Sequence, residues 1–237
     1  MDLSVYGYAF VGGLLPSIIW LYLVLKEDHR CPEPPRTLLL AFLAGSIVVP
    51  LALPIERAAR QLLPDQATMY LSWALIEETL KYAAAAIFIL WRREVDEAPD
   101  YMIYMITVAL GFAAAENMLF LMSPFSEGHF TAGILTDNLR FIGSTVLHMT
   151  ASAVLGLSFA LSETLSRPLR ILAAELGLIL SVALHATFNT LIITQGASSP
   201  LSAFYLVWIV AVVLLAAFEV LKYFQYRNLP NDTCTPL

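Results

Sequence analysis

Residues 73–86, WALIEETLKYAAAA, decide how the rest of the chain is read. They place Glu77, Glu78 and Lys81 inside an apolar run, 67–91, that is long enough to cross a bilayer, whose core of about 30 Å needs about 20 such residues. Ionisable groups at mid-span cost on the order of 2.5–3.5 kcal/mol each on insertion scales. With Glu116, in the run GFAAAENMLF, the cost approaches roughly 10 kcal/mol if all four face lipid charged. They must therefore face one another or water. Glu77 and Lys81 are four apart and share a helix face, whereas Glu78 is turned by about 100°. For this span alone, a structural ion pair with a protonated spare carboxyl accounts for the residues as well as a reactive site does.

The composition agrees with a lipid solvent. Of 237 residues, 59% are hydrophobic and 14% charged, against roughly 45–50% and about 25% in soluble domains, which excludes a soluble globule. Thirteen Lys+Arg against 19 Asp+Glu give a net charge of −6 and no basic stripe, which excludes a nucleic-acid partner. About seven runs have spanning length: 5–25, 37–53, 67–91, 101–122, 139–161, 171–194 and 200–221. The second is the shortest and carries Pro50, with Pro54 just beyond it. The opening MDLSVYGYAF lacks a basic region, so the first run is expected to be retained rather than cleaved as a signal. With no repeat or long linker, the expected fold is one all-α, polytopic membrane bundle over residues 1–237, about seven helices in one integral-membrane domain. Cys31 and Cys234 lie outside the apolar runs and read as two free thiols.

Short cytoplasmic loops are enriched in Lys and Arg. An external N-terminus and internal C-terminus put Lys26, Arg30, Arg36, Arg92, Arg93, Arg167, Arg170, Lys222 and Arg227 inside, and only Arg57, Arg60 and Arg140 outside. Residues 123–138 then form the longest external loop; with Phe125 and Phe130 they suit either an interfacial gate or a plain connector.

Two further spans carry polar stripes. Ser144, His148 and Ser152, followed by Gly156, recur every four residues on the fifth, and Ser181, His185 and Asn189 do so on the sixth. Counted at 1.5 Å per residue, Glu77 lies about 15 Å below the outer end of its span, His148 and His185 about 14 Å, and Glu116 about 9 Å. The shared depth points to one mid-membrane cluster. Hydrolysis of a peptide bond there needs an activated water, a proton donor and support for the oxyanion. Glu77 is the expected base, assisted by a His, with Glu78 as second acid or orienting group, Lys81 tempering the pair, and His185 and Asn189 serving oxyanion and leaving group. Ser144, Ser152 and Ser181 lack a Gly-x-Ser-x-Gly turn, so a serine nucleophile is disfavoured. Two His and a Glu could bind zinc, although the His-Glu-x-x-His signature is missing. No cofactor is otherwise called for; if the chemistry is metal-dependent, one zinc ion on Glu116, His148 and His185 is expected, with Glu77 or Glu78 as base.

The ordered pieces Glu77-Glu78-x-x-Lys81, Phe112-x-x-x-Glu116-Asn117, His148-x-x-x-Ser152-x-x-x-Gly156 and His185-x-x-x-Asn189 resemble the PrsW-type intramembrane proteases, and more distantly the CAAX-prenyl endopeptidases and their bacterial immunity-related relatives. The resemblance covers about half the chain. In the CAAX relatives the second motif ends in His where this chain has Glu116, so no water-activating role transfers to that position. It implies an endopeptidase of the bacterial inner membrane that cuts a single-span, anti-sigma-factor-like protein as the first of successive cuts, by glutamic or metal-dependent chemistry. The outer-half depth of Glu116 and Asn189 places that cut on the extracytoplasmic side. A proton-coupled transporter, whose buried Glu and His relay protons, is the rival class. Against it, no pair of Gly/Pro-interrupted spans repeats in the two halves. A non-catalytic membrane scaffold is the third reading, and the intact Glu77, Glu78, His148, His185 and Asn189 speak against it.

Overall fold

The structure, a computed structural model, describes residues 3–28, 31–63, 65–129, 131, 135, 139–195 and 201–227. These form α1 (Leu3–Glu27), α2 (Pro35–Leu62), α3 (Gln66–Phe88), α4 (Ala98–Ser126), α5 (Thr145–Ser162), α6 (Arg167–Gln195) and α7 (Leu201–Tyr226), with no strand among the described residues. A π-helical turn, Arg140–Ser144, leads into α5. Six of the helices are long and apolar enough to span a membrane. The seventh, α3, has 23 residues, about 35 Å of helix, and carries the three charges at its middle. The molecule is a polytopic helical membrane protein.

Local chemistry explains where the helices begin. Pro35 opens α2 from a position where no N–H is needed. The Asp65 side chain caps α3 by accepting from Thr68 N at 2.9 Å, and a Glu97/Asp100 capping box with Pro99 opens α4. The main departure from expectation is α2, which runs through Pro50 and Pro54 to Leu62 instead of ending near residue 53. Each proline deletes one N–H, and a membrane helix tolerates that where neighbouring helices and side chains re-satisfy the backbone. Arg57 and Arg60 consequently sit on the last turns of α2.

The centre of the bundle is α4. Of its apolar span 67% is buried within the protein, next to 72% for the shorter α5 that packs on it, against 22% for α1 and for α7. Close approach of backbones makes this possible: a Cβ at Gly111 would lie 1.9 Å from Phe42 O, and one at Gly45 would lie 1.8 Å from Val108 O, so α2 and α4 touch main chain to main chain. Ser46 Oγ fastens the contact by donating to Gly111 O at 3.0 Å. Gly13 on α1 and Gly156 on α5 admit the α4 backbone in the same way. Outward, Leu39, Leu43, Ile47, Leu51 and Ile55 make an exposed stripe at four-residue spacing on α2, the surface that lipid covers.

Cys31 is disulfide-bonded, which corrects the expected free thiol, and Cys234 lies outside the described residues. Of the proposed external loop, α4 takes residues up to Ser126, while 130, 132–134 and 136–138 lie outside the described residues. Because the α2–α4 contact leaves no room for a side chain, Gly111→Val is expected to destabilise the bundle by at least about 1–3 kcal/mol. Gly7→Ala, with nothing within 4 Å of the added carbon, should leave stability unchanged. Thermal unfolding in detergent micelles measures both.

Candidate active site

Four helices bring their polar stripes to one place. On α3 the i, i+3 spacing turns Lys81 onto Glu78, and Nζ donates to Glu78 Oε1 at 2.7 Å. Lys81 is fully buried, yet its donors are engaged: a second N–H reaches His148 Nδ1 at 2.9 Å, and the ammonium lies 4.3 Å from the centre of the Phe112 ring. Glu78 is correspondingly saturated. Its Oε1 also accepts from His185 Nδ1 at 2.7 Å, and its Oε2 takes Ser181 Oγ at 3.1 Å and Ser152 Oγ at 3.4 Å. One carboxylate therefore ties α3, α5 and α6 together.

The second imidazole nitrogen of His148, Nε2, lies 3.0 Å from Glu116 Oε2 on α4. Glu116 is ion-paired in turn with Arg140, whose Nε donates to Asn117 Oδ1. Asn117 Nδ2 donates to Thr145 Oγ1 at 3.0 Å, which closes the network onto the start of α5. The Glu116 side chain is 20% exposed against 8% for Glu77 and 1% for Glu78, so it stands nearest the outside of the cluster.

These partners fix the proton positions. An ammonium only donates and a carboxylate only accepts, so His148 Nδ1 receives from Lys81 and Nε2 carries the hydrogen toward Glu116. By the same rule His185 Nδ1–H points at Glu78, leaving the Nε2 lone pair turned inward. What it faces is Glu77 Oε2, a buried oxygen with no hydrogen-bond partner, 3.9 Å from His185 Nε2, from His148 Nδ1 and from Lys81 Nζ. Acceptors that confront one another in a buried gap call for a proton-bearing or cationic species between them.

Glu77, His148 and His185 each offer one ligand atom, all within 4.8 Å of one another. A carboxylate with two imidazoles is a donor set of hydrolytic zinc. Both rings also give their outer N–H to a carboxylate, Glu78 for His185 and Glu116 for His148, the support that zinc-binding histidines take. These residues fit a zinc ion, provided Lys81 keeps Glu78 and releases His148. The sequence suggested Glu116 as the carboxylate of that set; the structure brings Glu77 there and puts Glu116 behind His148.

Glu77, Glu78, Lys81, His148, His185 and Ser152 thus converge, Phe112 walls the cluster edge-on to His148 at 5.0 Å between ring centres, and Glu116 and Asn117 join through His148 and Arg140. Asn189 is half-buried one turn beyond His185 and stands outside the bonded network. Sequence reasoning missed Arg140 and Glu56. Arg140 was legible, because it extends the stripe of Ser144, His148 and Ser152 backward by four. Glu56 approaches Glu77 and Glu116 from α2, and ending that span near residue 53 hid it.

Residues 33–217 match the family model described as PrsW family intramembrane metalloprotease. Protease PrsW of Geobacillus kaustophilus is 30% identical over 151 residues, 62% of this chain and 63% of that protein. Protease PrsW of Bacillus subtilis is 24% identical over 183 residues, 75% of this chain and 79% of that protein, and Protease PrsW of Clostridioides difficile is 26% identical over 120, 48% and 50% respectively. The chain therefore spans less than two thirds of the length of the Geobacillus relative. No solved structure matches.

Stability separates the two adjacent glutamates. Glu78→Ala leaves the Lys81 ammonium buried beside a lost anion and should cost about 3–5 kcal/mol. Glu77→Gln removes no hydrogen bond at Oε2 and should change stability by no more than about 0.5 kcal/mol. Thermal melts of both variants in the same detergent read the difference.

Proposed function

The chain belongs to the PrsW family of intramembrane metalloproteases, and from that premise we propose that it hydrolyses a peptide bond in or near the membrane span of a single-span protein. The observation that carries the reading is the orphaned Glu77 Oε2, set against the inward nitrogens of His148 and His185. That gap is the place for the reacting water. A zinc ion held by Glu77, His148 and His185 would supply a bound water of lowered pKa and polarise the scissile carbonyl.

The chain's own residues do the rest. Glu78 and Glu116 orient the two imidazoles from outside, so each keeps one nitrogen toward the gap. Lys81 offsets the negative charge of the pair and is the nearest ammonium to an oxyanion formed there. Without the ion, Glu77 is the carboxylate with spare acceptor capacity, and a proton leaving the water can pass to it. Asn189, one turn along α6 from His185 and outside the network, would serve the oxyanion or the leaving group once a substrate enters.

We take the substrate to be an anti-sigma-factor-like membrane protein in the bacterial inner membrane, cut on the extracytoplasmic side. The excess of Lys and Arg at the opposite membrane face supports that orientation, nine residues against three. A substrate helix also unwinds more readily near an interface, where water satisfies freed backbone groups.

In liposomes holding purified protein and a single-span substrate, Glu77→Gln is expected to lower cleavage by at least about 10²-fold while the protein stays folded. Exhaustive chelation should abolish cleavage and zinc should restore it; cleavage that survives chelation with no metal in elemental analysis would assign the water to Glu77 alone. Product masses give the side of the cut, and a cut at the cytoplasmic end would reverse the orientation.

A further inference from the structure

α1 packs on α4, and α7 packs on α5, α6 and the edge of α4, so a seam runs between α1 and α7. Two contacts bridge it: Trp20 and Trp208 lie 5.8 Å apart between ring centres, and Lys222 Nζ donates to Glu27 O at 2.7 Å. Between the bridges is an apolar cavity of about 240 Å³, floored by Met102 and Ile106 of α4 and by Met149 and Ala153 of α5. Leu23, Val212 and Leu215 in its walls are exposed, so it opens sideways onto the surface that lipid covers. The wall that α7 supplies, residues 208–218, is about 15 Å long, half of a hydrocarbon core of about 30 Å. The cavity is thus one leaflet deep. Spread over that length, its volume is too slender for a helix about 10–12 Å across, whereas a single acyl chain fits.

At the far end of the bundle from Glu116 the seam turns polar. A second cavity, about 370 Å³, shares Glu27 with the first and continues along both helices, bounded by Asp28 just after α1 and by Glu219, Lys222 and Arg227 at the end of α7. Its cations have donors to spare. Lys222 spends two N–H groups, on Glu27 O and on Glu219 Oε1 at 2.6 Å, and keeps a third; Arg227, 5.1 Å from the centre of the Phe224 ring, has no ion pair among the described residues. The acid beside them is short of donors: Asp28 is 2% exposed, and neither of its oxygens has a hydrogen-bond partner. Asp100, buried nearby, differs, because its Oδ2 accepts from the backbone N–H of Asp96 and Glu97 at 2.9 and 2.7 Å. An unpaired carboxylate away from water is costly, and turning that of Asp28 into the cavity breaks no hydrogen bond. A lining of both signs selects a ligand of both signs. An ammonium, unlike a quaternary amine, also brings the N–H donors that the orphaned oxygens need.

We propose that the seam holds one phospholipid with a primary-amine headgroup, of the phosphatidylethanolamine class: an acyl chain in the apolar cavity, the phosphate on Lys222 and Arg227, and the ammonium on Asp28 and Glu27. The lipid comes from the leaflet at the end of α7, the face where Lys and Arg are in excess. It fills the gap that α1 and α7 leave over α4 and α5. Met149 in the floor follows His148 on α5, so the acyl chain backs the helix that carries that imidazole. The proposal rests on the shape and charges of the seam and is independent of the proteolysis proposed above.

Native mass spectrometry of the full chain, delipidated in detergent, tests this by titration with phosphatidylethanolamine, phosphatidylglycerol and phosphatidylcholine of one acyl composition. One phosphatidylethanolamine per chain should be retained, at least about tenfold more tightly than the other two, which lack the ammonium or its N–H donors. Ala211→Phe, whose ring fills the apolar cavity, should weaken that retention at least about tenfold, and Asp28→Asn should remove the preference over phosphatidylcholine. Leu39→Phe, on the outward stripe of α2, should change neither. Equal retention of the three lipids by the parent protein, retention that Ala211→Phe leaves intact, or a preference that survives Asp28→Asn would overturn the proposal. Should Asp28→Asn fail to fold, Arg227→Gln, at an exposed side chain, decides in its place: retention that it leaves unchanged overturns the headgroup assignment.

Discussion

Ionised groups held away from water must be completed by one another, and the arrangement of this bundle follows from that demand. Glu78 meets it most fully, by accepting from an ammonium, an imidazole and two hydroxyls on three helices. Because each donor has one direction and one reach, satisfying Glu78 fixes the rotation and height of α3, α5 and α6 together. Packing alone would not, since lipid tails are as apolar as leucine and provide little hydrophobic drive between helices. The glycine contacts of α2 and α4 then hold the remaining wall at backbone distance.

Within this arrangement the neighbouring carboxylates divide into different kinds. Glu78 is spent on structure and Glu77 is left with an idle oxygen, although the two share a sequence environment. The difference is the turn of about 100° between adjacent helical residues, which points one into the ring of donors and the other into the gap between the histidines. Glu116 is a third kind, a largely buried anion neutralised by Arg140 and used to hold an imidazole.

The cluster was legible because apolar spans make polar residues conspicuous and helical spacing sorts them into faces. His148 with Ser152 and His185 with Ser181 could be read from four-residue spacing alone, and equal depth put them beside Glu77 and Glu78. Pairing was not legible. Whether Glu77 or Glu116 sits between the histidines depends on which side of His148 each approaches, a matter of how the helices lean and not of where residues fall along them. Proline misled the reading of α2, since in a membrane helix a missing N–H can be compensated by neighbours that the sequence of that helix does not show. The acids at the far end were hidden for another reason: residues such as Asp28 and Asp100 stand at helix ends, where carboxylates are ordinary, and only the fold reveals that they are buried.

The π-helical turn at Arg140–Ser144 changes what kind of sequence alteration the site can absorb. Thr145 N–H reaches back five residues to Arg140 O, so the turn holds one residue more than an α-helix would. Its five residues wind through about the rotation and rise that four take in an α-helix, so loss of a single residue from within the turn restores the α-helical period with Arg140 still close to its present direction from His148. Loss of a residue between Thr145 and His148, where the helix is already α, would instead turn Arg140 by about 100° and take it away from Glu116. The turn is thus the point at which this helix absorbs one residue of length, and relatives that differ by one residue there can keep an arginine equivalent to Arg140.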